Sequence, residues 1–346
     1  MHLLRRADLE SARFGLNVAR ASVDRIDALA LVRELIEERV DVAILRLPAS
    51  PDTGIGGLSA LGMSPLHADT LVTYSCDLAR YEPQPLSNPS LDIRAAVPDD
   101  VPAIMELVQV VFAHYQNHYS ANPLLPRGEV LAGYGEWAVG HIGADDKTCW
   151  VAQVGDRIAG LACSAFDPGT GACQGVLHGV SPDFARARIY TDLIRFTQGY
   201  FRSRGLTKLE ISTQVGNLRV QRVWVREGLV FESVVNTYHV NALFGVIAGS
   251  PRRFAWPAPK NGDTDAGWLC SRFSEALAES GPAWPRGIVC CQASLLAQLE
   301  PGADYAVDIG LVPHRAGLAS PHVVGVVSDA GGHPVAWLSA SGASHS

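Results

Sequence analysis

The chain carries little charge and almost no lysine. Lysine occurs only at Lys147, Lys208 and Lys260, so nearly all of the 28 basic side chains are arginine. The net charge is −7 and no stretch is strongly basic, which argues against a nucleic-acid partner. Hydrophobic residues make up 47% and charged residues 18%, a composition typical of folded globular proteins and not of disordered ones.

Long apolar runs and cysteine pairs are also missing. No run is long enough to span a bilayer, and the N-terminal MHLLRRADLESARF lacks the apolar core of a signal peptide. The cysteines number 7, an odd count, and form no CxxC pair, so we expect neither a disulfide framework nor a bound metal. With a bias toward arginine, alanine and glycine, these absences favour a cytoplasmic bacterial protein that has no membrane partner.

The length predicts two or three domains, because 346 residues are more than one hydrophobic core usually serves. The segment EPQPLSNPS at 82–90 breaks the hydrophobic periodicity and predicts a linker. We therefore expect domains at 1–82, 91–241 and 251–340. In the first, the pattern predicts a helix at Ala28–Val40 and strands at Phe14–Val23, Val42–Leu47 and Leu71–Leu78.

The middle segment alternates strands with helices, which is typical of an α/β sheet. A hairpin is expected to turn at Gly155–Asp156, and Gly205 and Gly228 are expected to end two helices. The predicted strands are 91–95, 149–154, 157–166, 175–180, 209–213 and 230–240, and the predicted helices begin near 98 and cover 189–204 and 220–227.

The third segment has a different pattern. A helix at Ala266–Glu279 is followed by four strands, which predicts an α+β domain in which an antiparallel sheet wraps a helix. The four strands are expected at 289–296, 305–312, 323–328 and 335–339.

The stretch LTKLEISTQVGNLRVQRVWVREGLVFESVVNTYHV at 206–240 is the most informative part of the chain. It resembles the C-terminal half of GNAT acetyltransferases, and most of all their nucleotide-sugar (fucosamine) N-acetyltransferase branch. Residues 1–82 are similar to an N-terminal GNAT half, with Phe14-Gly15 early. The carrying residues are Thr213-Gln214, Gly216-Asn217, Glu227-Gly228-Leu229-Val230-Phe231 and Tyr238-His239, and upstream His118-Tyr119, Asn122-Pro123 and Tyr134-Gly135-Glu136-Trp137.

The resemblance implies a GNAT fold that binds coenzyme A where a strand leads through a turn into a helix. Here that strand ends at Val180, and Asn217 precedes the later helix at 220–227. Helix N-terminal amides bind the pyrophosphate, and glycines let it approach the backbone. This turn has no glycine, and Arg186 and Arg188 stand where the family has glycine. Two readings stay open, because the arginines can pair with phosphate or block the pocket.

Two further positions bear on catalysis. The family pattern places a tyrosine where this chain has Trp224, and an indole N–H is no acid near neutral pH. Trp224 then either contacts a substrate or fills space. His178 lies two residues before Val180 and is the candidate general base, unless it is a structural histidine. The further pocket candidates are His118, Tyr119 and Glu136.

The stretch NGDTDAGWLCSRFSEALAES at 261–280 resembles the start of a hotdog-fold thioesterase of the 4-hydroxybenzoyl-CoA type. The resemblance implies that Asp265 attacks a thioester or directs water, with Asp263 in the substrate pocket. Both aspartates can instead cap the predicted helix. Folds of this type commonly dimerise, so a homodimer is a further expectation.

Two functions therefore remain. The first is an acyltransferase that moves an acyl group from an acyl-CoA or acyl-carrier-protein thioester to an amine or hydroxyl of a sugar or natural-product intermediate. The second is a hotdog-based thioesterase, dehydratase or cyclase-like enzyme in which the GNAT part is a scaffold. A pair of degenerate domains that only assembles a carrier-protein complex is a third possibility.

Overall fold

The computed structural model describes most of the chain and divides it into two compact units. Unit one comprises 1–68, 121–126 and 237–346, and unit two comprises 69–120 and 127–236. No helix among the described residues is long and apolar enough to cross a membrane. The described residues are 2–61, 63–246, 255–256, 288–294, 305–312, 322–329, 331 and 334–342.

The described residues contain fifteen strands and seven α-helices. The strands are β1 (Arg5–Arg6), β2 (Val18–Ser22), β3 (Val42–Pro48), β4 (Leu66–Asp77), β5 (Asp92–Ala95), β6 (Lys147–Val154), β7 (Arg157–Asp167), β8 (Ala172–Val180), β9 (Lys208–Gln214), β10 (Val230–Asn241), β11 (Ala255–Trp256), β12 (Ile288–Ser294), β13 (Tyr305–Val312), β14 (His322–Ser328) and β15 (Pro334–Gly342). The helices are α1 (Asp8–Phe14), α2 (Ala28–Glu37), α3 (Gly56–Ala60), α4 (Val101–Phe112), α5 (Arg127–Val139), α6 (Ile189–Ser203) and α7 (Leu218–Arg226).

Unit two is built on a mixed sheet with the strand order β10-β4-β9-β8-β7-β6-β5. The strands β8 and β9 run parallel and are joined by α6, the crossover that a parallel pair requires. Their pairing ends at Gly175 and Ile211, so the two strands diverge toward their C-terminal ends. The sequence predicted an α/β sheet for this segment, and the structure confirms it. The opening is where the cleft described below begins.

The core of unit two explains why α6 lies against this sheet. Its apolar residues recur on one face, so Leu193, Ile194 and Phe201 are fully buried between the helix and the strands. Gly205 and Gly228 follow α6 and α7 with φ of 82° and 81°, the left-handed conformation that glycine adopts at helix ends. Both were predicted to end these helices.

The predicted linker at 82–90 has no helix or strand but is held to α6 by hydrogen bonds. The fully buried carboxylate of Asp192 accepts from the backbone N–H groups of Ser87 and Asn88 at 2.6 and 3.1 Å. It also accepts from the Asn88 side chain at 2.6 Å. The segment is therefore part of the packed structure of unit two.

Unit one begins differently from the prediction. The sequence predicted a strand at Phe14–Val23, whereas Phe14 ends α1 and the strand β2 starts only at Val18. The cause is Gly15, whose φ of 60° ends the helix and turns the chain into the sheet. The strands β2 and β3 then run parallel with α2 between them.

The C-terminal part of unit one contains a five-stranded antiparallel sheet in the order β11-β13-β14-β15-β12. Four of its strands agree with the predicted ones within a few residues. The predicted helix at 266–279, with Asp263 and Asp265 just before it, lies outside the described residues. The hotdog interpretation therefore stays a prediction.

Candidate functional site

A cleft of about 740 Å³ lies in unit two where β8 and β9 diverge. The end of β8, the following turn and the start of α6 form one side, and α7 and the end of α4 form the others. Its lining residues include Val111, Phe112, Tyr115, His178, Gly179, Val180, Pro182, Phe184, Ala185, Arg186, Arg188, Tyr190, Arg195, Asn217, Arg219, Val223, Arg226 and Glu227. The structure thus brings together five sequence-predicted residues: His178, Val180, Arg186, Arg188 and Asn217.

The turn from β8 into α6 keeps a glycine-like backbone without a glycine. Arg188 is the N-cap of α6 and has φ 56° and ψ 14°, in the left-handed region. This conformation is unfavourable for a non-glycine residue and persists only where the surrounding structure holds it. The first-turn N–H groups of α6 have no partner within the helix and lie at the cleft. The N-terminal end of a helix favours anions, so this part of the cleft suits a negatively charged group.

The cleft is strongly positive although the whole chain is negative. The side chains of Arg186, Arg188 and Arg226 make no hydrogen bond or ion pair with any residue that the structure describes. Arg219 donates only to the backbone carbonyl of Ala185, at 2.8 Å. The remaining arginine is Arg195, which forms an ion pair with Glu227, the only acidic side chain among the lining residues. The surplus of arginine favours a ligand with several negative charges.

His178 faces the cleft as a neutral imidazole. Its Nε2 atom is buried and has no hydrogen-bond partner among the described residues. Burial lowers the pKa of His178 to about 4, so the ring is uncharged at neutral pH. A buried ring nitrogen without a partner is unfavourable, and a bound ligand can supply the missing hydrogen bond.

Trp224, predicted as a pocket residue, does not line the cleft. Its side chain is 1% exposed and packs in the core of unit two, with its ring centroid 5.5 Å from that of Tyr74. Its indole N–H donates to the hydroxyl of Tyr190 at 3.2 Å. Tyr190 does line the cleft, and its ring centroid lies 6.2 Å from that of His178. The packing interpretation of Trp224 is the one that agrees with the structure.

The other predicted pocket residues of unit two lie away from the lining. His118 is buried in a short 3-10 helix with Tyr119 beside it. Glu136 is exposed on α5. Among the described residues, no group of three or more histidine, cysteine or acidic side chains could hold a metal ion. Cys76, Cys149, Cys163 and Cys173 are buried and form no disulfide with one another.

Sequence reasoning missed Tyr115, Tyr190 and the arginines of α7. A usable signal was present, because Arg219, Val223 and Arg226 recur at helical spacing on one face, directly after Asn217. Tyr115 carried no such signal, since it follows α4 and lies far in sequence from all lining residues except Val111 and Phe112.

The lowered pKa values of two histidines predict that the folded chain becomes less stable as the pH falls. The unfolded imidazole takes up a proton near pH 6.5, whereas folded His178 does so only near 4, so the unfolded state gains protons first as the pH drops. Between these pH values His178 should lose roughly 3 kcal/mol of stabilisation, about 2 kcal/mol of it above pH 5. Fully buried His239 in unit one, with a pKa of about 4, should act in the same direction. Thermal unfolding at pH 7.5, 6 and 5 tests this.

The matched variant is His178→Gln, which cannot titrate. Its melting temperature should fall less between pH 7.5 and 5 than that of the wild-type chain. An equal fall in both proteins would show that His178 does not contribute to the pH dependence.

The comparisons with known proteins agree with the elements around the cleft. Residues 111–229, about one third of the chain, match the model of the acetyltransferase (GNAT) family, and this region includes β8, α6, β9 and α7. The GNAT resemblance predicted for this region is confirmed. No finding supports the fucosamine branch or a hotdog domain. Among curated proteins, none matches the chain in sequence.

Several solved structures are similar at low identity. A GCN5-related N-acetyltransferase from Sphaerobacter thermophilus is 16% identical with a TM-score of 0.42, over 57% of this chain and 59% of that one. One from Kribbella flavida is 14% identical with a TM-score of 0.43, over 65% and 81%. A tandem GNAT protein from the clavulanic acid biosynthesis pathway is 13% identical with a TM-score of 0.45, over 65% and 75%.

Proposed function

We propose that unit two transfers an acyl group from acyl-coenzyme A to an amine or hydroxyl of a small acceptor. One observation carries the proposal: a cleft with three arginines whose side chains are unpaired, Arg186 and Arg188 before α6 and Arg226 at the end of α7, also contains a buried, unpartnered His178 nitrogen. The arginines suit the phosphates of coenzyme A. The His178 nitrogen suits an acceptor amine or hydroxyl, whose proton it can share. The family match over 111–229 supports the same chemistry.

The arginines favour phosphate binding over a blocked pocket. Both Arg186 and Arg188 are exposed at the cleft, so their side chains have room to move toward a ligand. Because Arg188 keeps a left-handed backbone, the turn retains the shape that a glycine would give it. Guanidinium groups bind phosphate oxygens in a bidentate manner, which compensates for a less close approach to the backbone amides.

The same arginines favour free coenzyme A over a carrier protein as the acyl donor. Coenzyme A carries a pyrophosphate and a further phosphate, whereas the carrier arm has one phosphodiester. A positive cleft gains more from the donor that has more phosphate groups. A carrier protein remains the alternative donor.

Binding of two donors tests this proposal. We expect acetyl-coenzyme A to bind at least about 10-fold more tightly than acetyl-pantetheine, since charge-assisted hydrogen bonds contribute about 1.5–3 kcal/mol each. The double variant Arg186→Gln/Arg188→Gln should lose most of this advantage. Isothermal titration calorimetry measures all four affinities. Equal binding of the two donors to the wild-type chain would contradict the proposed donor.

In the proposed reaction the acceptor nitrogen or oxygen attacks the thioester carbonyl carbon. A bond from that atom to the acyl carbon forms, the carbon–sulfur bond breaks, and coenzyme A leaves as a thiolate. One proton leaves the acceptor atom and one ends on sulfur, so the reaction needs no other reagent. Neutral His178 can accept the hydrogen bond of the acceptor as its proton becomes acidic. With a pKa near 4 it is a weak base, which favours a shared proton over a stable imidazolium.

The alternative places turnover in the C-terminal region, with Asp265 as base or nucleophile and Asp263 beside it. One structural observation favours it: the described strands β11–β15 form an antiparallel sheet, as the strand pattern of the third segment predicted. In that case unit two would be a scaffold. Paired substitutions of Asp265 and His178 distinguish the two proposals.

A further inference from the structure

A second polar group, formed by Gln214 and Asp69, is linked to the cleft through Tyr115. The Gln214 side chain at the end of β9 donates to Asp69 Oδ2 on β4 at 3.3 Å. The same amide accepts, through its oxygen, a hydrogen bond from the Tyr115 hydroxyl. Tyr115 itself lines the cleft, so Asp69 is connected to the cleft through two side chains of unit two.

Asp69 is incompletely satisfied. Its Oδ1 atom is buried and has no hydrogen-bond partner, and no lysine, arginine or histidine among the described residues forms an ion pair with it. A carboxylate oxygen enclosed without a donor is unfavourable, because it has lost water and gained nothing in exchange. Burial and, to a lesser extent, the charge of Asp69 raise the pKa values of Tyr115 and Tyr134, so both hydroxyls stay neutral. Neither tyrosine compensates the carboxylate.

We propose that Asp69 binds a positively charged group of the acceptor that is separate from the reacting atom. The inference rests on the proposed acyl transfer. A nitrogen paired with a carboxylate is held in its protonated form and has no lone pair for attack. The cation at Asp69 is therefore not the nucleophile. The acceptor class is then a small molecule with a nucleophilic amine or hydroxyl and a second, permanently charged ammonium or guanidinium group.

The aromatic side chains next to Asp69 suit the same ligand. Tyr115 and Tyr134 meet edge to face, with ring centroids 6.2 Å apart, and Tyr134 stacks on Phe112 at 4.9 Å. Faces of tyrosine rings attract ammonium and guanidinium groups. The positive α6 turn suits the phosphates of the donor, and the Asp69 carboxylate, which is joined to the cleft through Gln214 and Tyr115, suits a cationic acceptor.

Two matched amines test the inference on the full chain. Cadaverine carries two amino groups, and pentylamine has the same chain with one. We expect the wild-type chain to bind cadaverine at least about 10-fold more tightly than pentylamine, and Asp69→Asn to lose that difference. Equilibrium dialysis measures binding without turnover. With acetyl-coenzyme A present, thiol release should show the same preference in KM for cadaverine over pentylamine.

Controls separate this inference from the proposed function. Asp99→Asn changes an exposed carboxylate of unit two and should keep the preference for cadaverine. Circular dichroism checks folding, and Asp69→Ser is the second variant should Asp69→Asn not fold. If the preference for cadaverine disappears in Asp69→Asn, the inference is supported, whether or not acetyl-coenzyme A binds. Failure of acetyl-coenzyme A to bind would refute only the proposed acyl transfer. Equal binding of the two amines, or a preference that survives Asp69→Asn, would overturn it.

Discussion

Replacing His178 by Gln should lower the turnover of acetyl-coenzyme A about 100-fold or more, because a shared proton at the reacting atom typically contributes 10²–10⁴-fold. The expected loss is in kcat, since His178 faces the reacting groups and not the phosphates. The affinity for acetyl-coenzyme A should change less than about 3-fold, as the arginines remain in place. Thiol release and calorimetry on the same preparation measure both quantities.

Asp265→Asn is the matched variant in the C-terminal region. Asn caps a helix as well as Asp does, so the substitution removes a charge without removing a cap. If unit two is the enzyme, Asp265→Asn should keep turnover within about 2-fold, well inside the effect of a lost catalytic group. The reverse pattern, with His178→Gln active and Asp265→Asn inactive, would move catalysis to the C-terminal region and contradict the proposed function.

The strand and helix order of unit two was predictable because its signals are local. The turn at Gly155–Asp156 and the ends of α6 and α7 at Gly205 and Gly228 follow from residues that alone adopt the required backbone. The apolar period of α6 predicted a helix that packs on one face. Such features depend on neighbours in sequence, so one sequence suffices to place them.

The start of unit one was not predictable in the same way. The segment around Phe14 has apolar residues that suit a strand or a helix, and a short apolar run cannot distinguish the two by period. The structure ends α1 at Phe14 and turns at Gly15. A glycine between two apolar runs was the signal for this break.

The site was predictable at the turn and only partly elsewhere. His178, Arg186 and Arg188 follow from their place between β8 and α6. The direction of Trp224 depends on the rotation of α7 against the sheet, which residue spacing does not fix. That rotation places the indole in the core, where its N–H donates to the hydroxyl of Tyr190 on α6. Asp69 was not predictable, because the lack of a partner for its Oδ1 atom is visible only in three dimensions.

Replacing Arg195 by Leu should destabilise the chain by about 3–5 kcal/mol, because it leaves a buried carboxylate without its partner. Arg195 Nε lies 2.6 Å from Glu227 Oε2 and its Nη2 lies 3.2 Å from Oε1, so the pair is bidentate. The Glu227 side chain is only 7% exposed. Arg195 also donates to the carbonyl of Pro85 at 2.8 Å, so its loss loosens the 82–90 segment as well.

The double variant Arg195→Leu/Glu227→Leu separates the two parts of this effect. Removing both charges abolishes the unpaired carboxylate, and replacing a buried pair by apolar side chains is often neutral or stabilising. The double variant should therefore be more stable than Arg195→Leu alone, although the Pro85 contact is still lost. Urea unfolding of the wild-type chain, both single variants and the double variant gives the coupling free energy. If the double variant is less stable than both single variants, the pair is not the source of the destabilisation, and the cost lies in the contacts of Arg195 with the 82–90 segment.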